Sequence, residues 1–140
     1  MGVIRLRHLI HHTSTLPDVA DPTVRVPGSN AEIIERFRQS ETVDLEPGVH
    51  YGYNNAGYVL LAEAIARALG QPIDEVAAEL FSGLGMSDTR VGGPAVRLEG
   101  RPDPPGTIGD GGLGTSVSDL ARWLQACNAA AFGFAPVLTV

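Results

Sequence analysis

Apolar residues recur at helical spacing in several stretches of the chain, each bounded by a residue that marks where a helix starts or stops. From Ala56, the residues Tyr58, Leu61, Ala62, Ile65 and Leu69 form one stripe, Glu63 and Arg67 pair on the opposite side, and Gly70 stands where a left-handed C-terminal residue belongs. Pro72 opens a second helix with Asp74 and Glu75 in its first turn. Ile73, Val76, Ala77, Leu80 and Phe81 share one face and Gly83 closes it, so the two helices are expected to pack together. Ser29 with Glu32 is a capping-box pattern, and Ile33, Ile34 and Phe37 then carry a helix to about Ser40. Ser116 with Asp119 repeats that pattern ahead of Leu120, Trp123, Leu124 and Cys127. Leu6, Leu9 and Ile10 predict a short helix that runs into Thr13-Ser14-Thr15 and a loop near Pro17.

The intervening sequence predicts little strand. Residues 18–28 read as an extended connection and 41–48 as a loop; 84–114 are rich in glycine and proline, with short strands expected only at 89–91 and 95–98. Residues 129–140 are small, apolar and uncharged, a tail expected to be disordered or unrelated to the rest of the domain. Both ends stop in apolar sequence without a polar cap, so residues 1–140 read as a single partial domain, the middle of something larger.

Composition narrows the chemistry. At 140 residues, with 44% hydrophobic and 19% charged positions, the chain is of globular type. Its net charge of −6 and scattered arginines argue against a phosphate-neutralising surface, hence against nucleic acid. No apolar run reaches the roughly 18 residues of a membrane span, and the start lacks the pattern of a signal peptide. Cys127 stands alone and predicts a buried apolar filler. All ten basic residues counted as Lys or Arg are arginine. The absence of lysine excludes, within this chain, a Ser-x-x-Lys pair, a Lys-Thr-Gly strand, a phosphate-loop lysine and a Schiff base, because arginine does not serve as a base.

Among the motifs, Gly109-Asp110-Gly111-Gly112-Leu113-Gly114 matches a dinucleotide fingerprint. No apolar strand precedes it and Phe134 stands where an acidic residue belongs, so its glycines are read as serving positive φ or close backbone approach. His8 and His12 are spaced to share a helical face, but no further ligand or H-E-x-x-H pattern accompanies them. A hydrogen-bonding role for His12 is the better reading, and no metal or cofactor is expected. No serine sits in G-x-S-x-G or before lysine, and a site built from Ser14, His12 and Asp18 would need neighbours in sequence to reach triad geometry.

Tyr53-Asn54-Asn55, just before the Ala56 helix, is the most informative pattern. A turn there aims a phenol and a carboxamide into one cleft, where the hydroxyl can move a proton from a nucleophile and the amide can orient a substrate carbonyl. Taken alone, the pair also reads as a buried tyrosine bonded to a backbone carbonyl and an Asn55 helix cap.

Four ordered blocks decide between these readings. They are residues 7–17, RHLIHHTSTLP; residues 47–58, PGVHYGYNNAGY; residues 80–89, LFSGLGMSDT; and Gly111-Gly112-Leu113 with Ser118-Asp119-Leu120-Ala121. Their order and spacing resemble the serine beta-lactamase-related family of class C beta-lactamases, D-alanyl-D-alanine carboxypeptidases and related esterases, over about residues 4 to 126. Thr15 stands where that family usually has glycine and His11 where it usually has threonine. The resemblance implies a mainly α chain, the helical region of the α/β beta-lactamase/transpeptidase-like fold with most of the β-sheet absent. It implies Tyr53 as a catalytic residue and Asn55 as substrate-binding, in a parent that hydrolyses a beta-lactam, peptide or ester through an acyl-serine. The Ser-x-x-Lys and the third motif, Lys-Thr-Gly or His-x-Gly, are not in this chain, so the chain alone is expected to be inactive. Family members are often exported; the compartment of this chain stays open. The alternatives are a non-catalytic helical module that binds a partner or itself through exposed apolar edges, and a truncated or misassigned reading frame.

Overall fold

The capping and spacing signals translate into helices with little displacement. A computed structural model describes residues 2–20, 28–41, 45–91 and 106–131. Among them are α1 (Leu6–Ile10), α2 (Asn30–Gln39), α3 (Asn55–Leu69), α4 (Ile73–Gly83) and α5 (Val117–Ala131), with β1 (Arg90–Val91) and β2 (Leu113–Gly114). Ser29 Oγ accepts from Glu32 N–H at 3.3 Å, while Glu32 reaches back one residue further than a capping box requires, accepting from Gly28 N–H at 2.9 Å. Gly70 closes α3 at φ 69 in the left-handed region, where it escapes the steric cost a Cβ would carry. The expected strand at 89–91 appears as β1. Its partner comes from the glycine run, antiparallel with Arg90 opposite Gly114 and Val91 opposite Leu113, a pairing the sequence reading did not anticipate. The strand expected at 95–98 lies outside the described residues, as do residues 132–140 of the tail.

Helix α3 is the hub: α1, α2 and α4 each pack against it. Ile33 and Val59 are fully buried and, with Ala20 and Ala56, form the core, against which Val19 and Phe37 pack. The buried stripe of α3 is Ala56, Gly57, Val59 and Ala62, whereas Ile65 and Leu69 of the expected stripe are exposed. Small residues at the first two turns let α1 and α2 approach there, which shifts the covered face. On α4 the face expected from periodicity is the half-buried one, Ile73, Val76, Ala77, Leu80 and Phe81. On α1 only Leu9 of the apolar trio is buried, and on α5 Leu120 and Leu124 are exposed and Cys127 half-buried.

Helix α5 meets the rest of the described residues through Trp123 and through a knot of polar contacts that holds its first turn. Ser116 Oγ accepts from Asp119 N–H at 3.2 Å. The buried Asp119 carboxylate accepts from Asp88 N–H at 2.8 Å, Thr89 Oγ1 at 2.9 Å and Arg122 Nη1 at 2.6 Å. Burial pushes this carboxyl up, but the bonds from Thr89, Asp88 and Arg122 outweigh it and hold it below the ordinary aspartate value of 3.8. A folded value below the unfolded one gives stability that is complete above 3.8 and lost as pH falls through the folded value. Trp123, the sole tryptophan, meets Phe81 edge-to-face at 6.3 Å and reports this docking. Its fluorescence is expected to stay constant at neutral pH and to change only in acid below 3.8, a transition that Asp119→Asn shifts or removes.

Candidate functional site

The site begins with the way the first turn of α3 is satisfied. Asn54, not Asn55, is the N-cap: its Oδ1 accepts from Gly57 N–H at 2.7 Å and its Nδ2 donates to Leu16 O at 2.7 Å, with the side chain only 2% exposed. Asp18 meets the two amides before that, Oδ2 accepting from Asn55 N–H at 3.2 Å and Oδ1 from Ala56 N–H at 3.1 Å. A carboxylate is favoured at this position by the helix dipole. These two residues relieve the Asn55 side chain of capping.

Asn55 Oδ1 therefore accepts from the Tyr53 hydroxyl at 3.1 Å. The alternative of a buried Tyr53 bonded to a backbone carbonyl does not hold: Tyr53 is 63% exposed, and it is Tyr58 whose hydroxyl donates to a carbonyl, Ile10 O at 3.0 Å. Phenol and carboxamide thus form one hydrogen-bonded pair on an open surface. Such a pair can carry a proton on the phenol and present amide N–H donors to a carbonyl.

The loop before α2 supports the pair from beneath. His12 takes φ 55 and Thr15 φ 63, both in the left-handed region. The latter accounts for the preference for glycine at the position of Thr15. Helix α1 ends at Ile10, so His8 and His12 do not share a helical face. His8 Nδ1 accepts from Arg5 N–H at 3.2 Å and His12 Nδ1 from Asn54 N–H at 3.2 Å. His8 and His11 line an open cleft of about 420 Å³ with Arg7, Thr13 and Gly48. Among the described residues no group of three or more His, Cys, Asp or Glu is placed to hold a metal. Ser14 Oγ accepts from Leu16 N–H at 3.4 Å, so Ser14, His12 and Asp18 are each engaged with backbone amides of different residues and not with one another as a triad would require. His12 takes the hydrogen-bonding role expected of it, whereas Asn54 and Asp18 are the supporting residues that motif reading missed; an asparagine three positions before Gly57 at a helix start was the available signal for the first.

The glycine run takes the bland role expected of it. Gly109, at φ 124, lies so close to α3 that a Cβ there would stand 2.6 Å from Tyr58 O and 2.8 Å from Ala62 Cβ. Beside it, Ile108 N–H donates to Asn30 Oδ1 at 2.8 Å and Asn30 Nδ2 to Ile108 O at 3.0 Å, which ties this loop to α2. No helix among the described residues is long and apolar enough to cross a membrane.

Comparison with known proteins shows the family of the chain. The model of the family described as Beta-lactamase matches residues 2–135. Penicillin-binding protein 4* of Bacillus subtilis (strain 168) is 34% identical over 95 residues, 63% of this chain and 21% of that protein. A D-aminopeptidase of Brucella anthropi is 30% identical over 126 residues, 79% of this chain and 24% of that protein. Among solved structures, a beta-lactamase/D-alanine carboxypeptidase of Yersinia pestis complexed with citrate superposes with TM-score 0.70 at 29% identity, over 88% of this chain and 39% of that one. The octameric penicillin-binding protein homologue from Pyrococcus abyssi gives 0.68 at 29% identity, over 87% and 34%. The chain spans about a quarter or less of the length of the two sequence relatives.

Proposed function

The chain belongs to the beta-lactamase family, and on that premise we propose that it is the central segment of a longer acyl-serine hydrolase that cleaves an amide or ester bond. Tyr53 is the proton-transfer residue and Asn55 the substrate-orienting one. The observation that carries this reading is the Tyr53 to Asn55 hydrogen bond of 3.1 Å, held on an exposed face by a helix start that Asn54 and Asp18 have already capped. In the full enzyme a serine from another segment attacks the carbonyl carbon. Its proton passes by way of Tyr53 Oη to the leaving nitrogen or oxygen as the scissile bond breaks, leaving an acyl-serine that water then hydrolyses. With Asn55 Oδ1 engaged by Tyr53, its Nδ2 donors are the group a substrate carbonyl meets. Relatives named as a D-aminopeptidase and a penicillin-binding protein make an amide or peptide, or a beta-lactam, the first substrates to try.

The exposed Ile65, Leu69, Leu120 and Leu124 fit the same reading, as surface that the remainder of such an enzyme would cover. In the isolated chain those residues would instead favour self-association, and a non-catalytic binding module is the second reading they support. Assay of the purified 140-residue chain with nitrocefin, a D-amino acid amide and a p-nitrophenyl ester is expected to give no enzymatic turnover, since loss of a nucleophile alone costs about 10⁶-fold. Turnover by this chain that Tyr53→Phe abolishes would overturn the segment reading.

A further inference from the structure

We propose that His12 is the positioning residue that fixes Tyr53 for proton transfer, an inference that rests on the function proposed above. Tyr53 is a largely exposed side chain at the end of a loop, a setting in which a phenol ordinarily samples several rotamers. Here a single residue, His12, holds the ring and the backbone on either side of it. The His12 carbonyl accepts from Gly52 N–H at 2.8 Å and the His12 Nδ1 accepts from Asn54 N–H at 3.2 Å. Those amides belong to the residues immediately before and after Tyr53, so the backbone of the catalytic position is pinned at both ends.

The imidazole also lies against the Tyr53 ring, with centroids 4.6 Å apart and planes inclined by 38°. Its other contacts are to Tyr58, at 5.1 Å and 35°, and the edge of Tyr51, at 6.0 Å and 82°. Tyr58 is anchored in turn by its hydroxyl on Ile10 O. The left-handed backbone of His12, φ 55, is what lets one residue present carbonyl and ring to the same turn. Strain of this kind persists where the surroundings fix it, and at functional sites it accompanies pre-organisation. His12 bonds neither the Tyr53 hydroxyl nor Asn55. It acts by holding Tyr53 Oη where a proton can be passed, and a misplacement near 1 Å there costs about 100-fold in rate.

Two substitutions in the full-length hydrolase separate the parts of this grip. His12→Phe keeps a ring and loses the Nδ1 acceptor; His12→Asn keeps an acceptor and tolerates the left-handed backbone but loses the ring. Each is expected to lower kcat about 10- to 100-fold with KM within about threefold of the parent. In the Tyr53→Phe background the His12→Phe change is expected to cost nothing more, whereas a merely structural role would lower the rate in both backgrounds. Full kcat in both single variants, or a full further loss in the double variant, overturns the inference. If Tyr53→Phe alone keeps full activity, it is the functional reading that fails. A variant-independent check uses NMR of the 140-residue chain: Tyr53 ring protons are expected to be displaced from random-coil positions and to show cross-peaks to the His12 ring. A freely rotating Tyr53 without such cross-peaks overturns the inference whatever the kinetics.

Discussion

Tyr53→Phe in the full-length hydrolase proposed above is expected to lower kcat by about 10²- to 10⁴-fold, the range a positioned acid-base group contributes, with little change in KM. The substitution removes one oxygen and leaves the ring on its His12 support, so the fold is expected to move by no more than about 0.5 kcal/mol. That separation makes the result interpretable. The lost group is exposed and bonded only to the Asn55 side chain, so no buried partner is orphaned. Steady-state kinetics with an amide or beta-lactam substrate, beside a urea titration of the same sample, measure both quantities. Unchanged kcat would remove Tyr53 from the mechanism.

The second large effect is expected in stability, at Gly109. Gly109→Ala places a Cβ 2.6 Å from Tyr58 O and 2.8 Å from Ala62 Cβ, at φ 124 where side chains are strained in any case. Overpacking costs about 1–3 kcal/mol and backbone strain a similar amount, so a loss of about 3 kcal/mol or more is expected from the urea midpoint. That is a large fraction of a domain's stability of roughly 5–15 kcal/mol. Gly111→Ala is the control. A Cβ there meets nothing within 4 Å, and the change is expected to stay within about 0.5 kcal/mol. Equal effects at both positions would mean that the loop does not approach α3 as described.

Sequence reasoning succeeded where a local signal suffices. Ser29, Gly70, Pro72 and Ser116 mark helix boundaries through interactions within a few residues, and the covered face of α4 follows its apolar spacing. The covered faces of α1, α3 and α5 did not follow theirs, because burial depends on what a face meets. Ile65 and Leu69 have good helical spacing and yet lie exposed. At the site, Tyr53 and Asn55 were legible as a pattern of types. Of their supports only a hydrogen-bonding role for His12 was legible, and its partner was not: Asp18, Leu16 and His12 reach the start of α3 from 37, 38 and 42 positions away in sequence. The shared helical face expected of His8 and His12 failed for a local reason, the end of α1 at Ile10 followed by a left-handed turn.

Asp18 and Asn54 occupy the amides of Asn55, Ala56 and Gly57, which are the donors a helix would otherwise offer to incoming negative charge. This end of the helix is electrostatically spent. On the function proposed above, the oxyanion that builds on an attacked carbonyl then finds its stabilising N–H groups on a different stretch of polypeptide, and the Tyr53 turn contributes proton traffic and orientation without sheltering that charge.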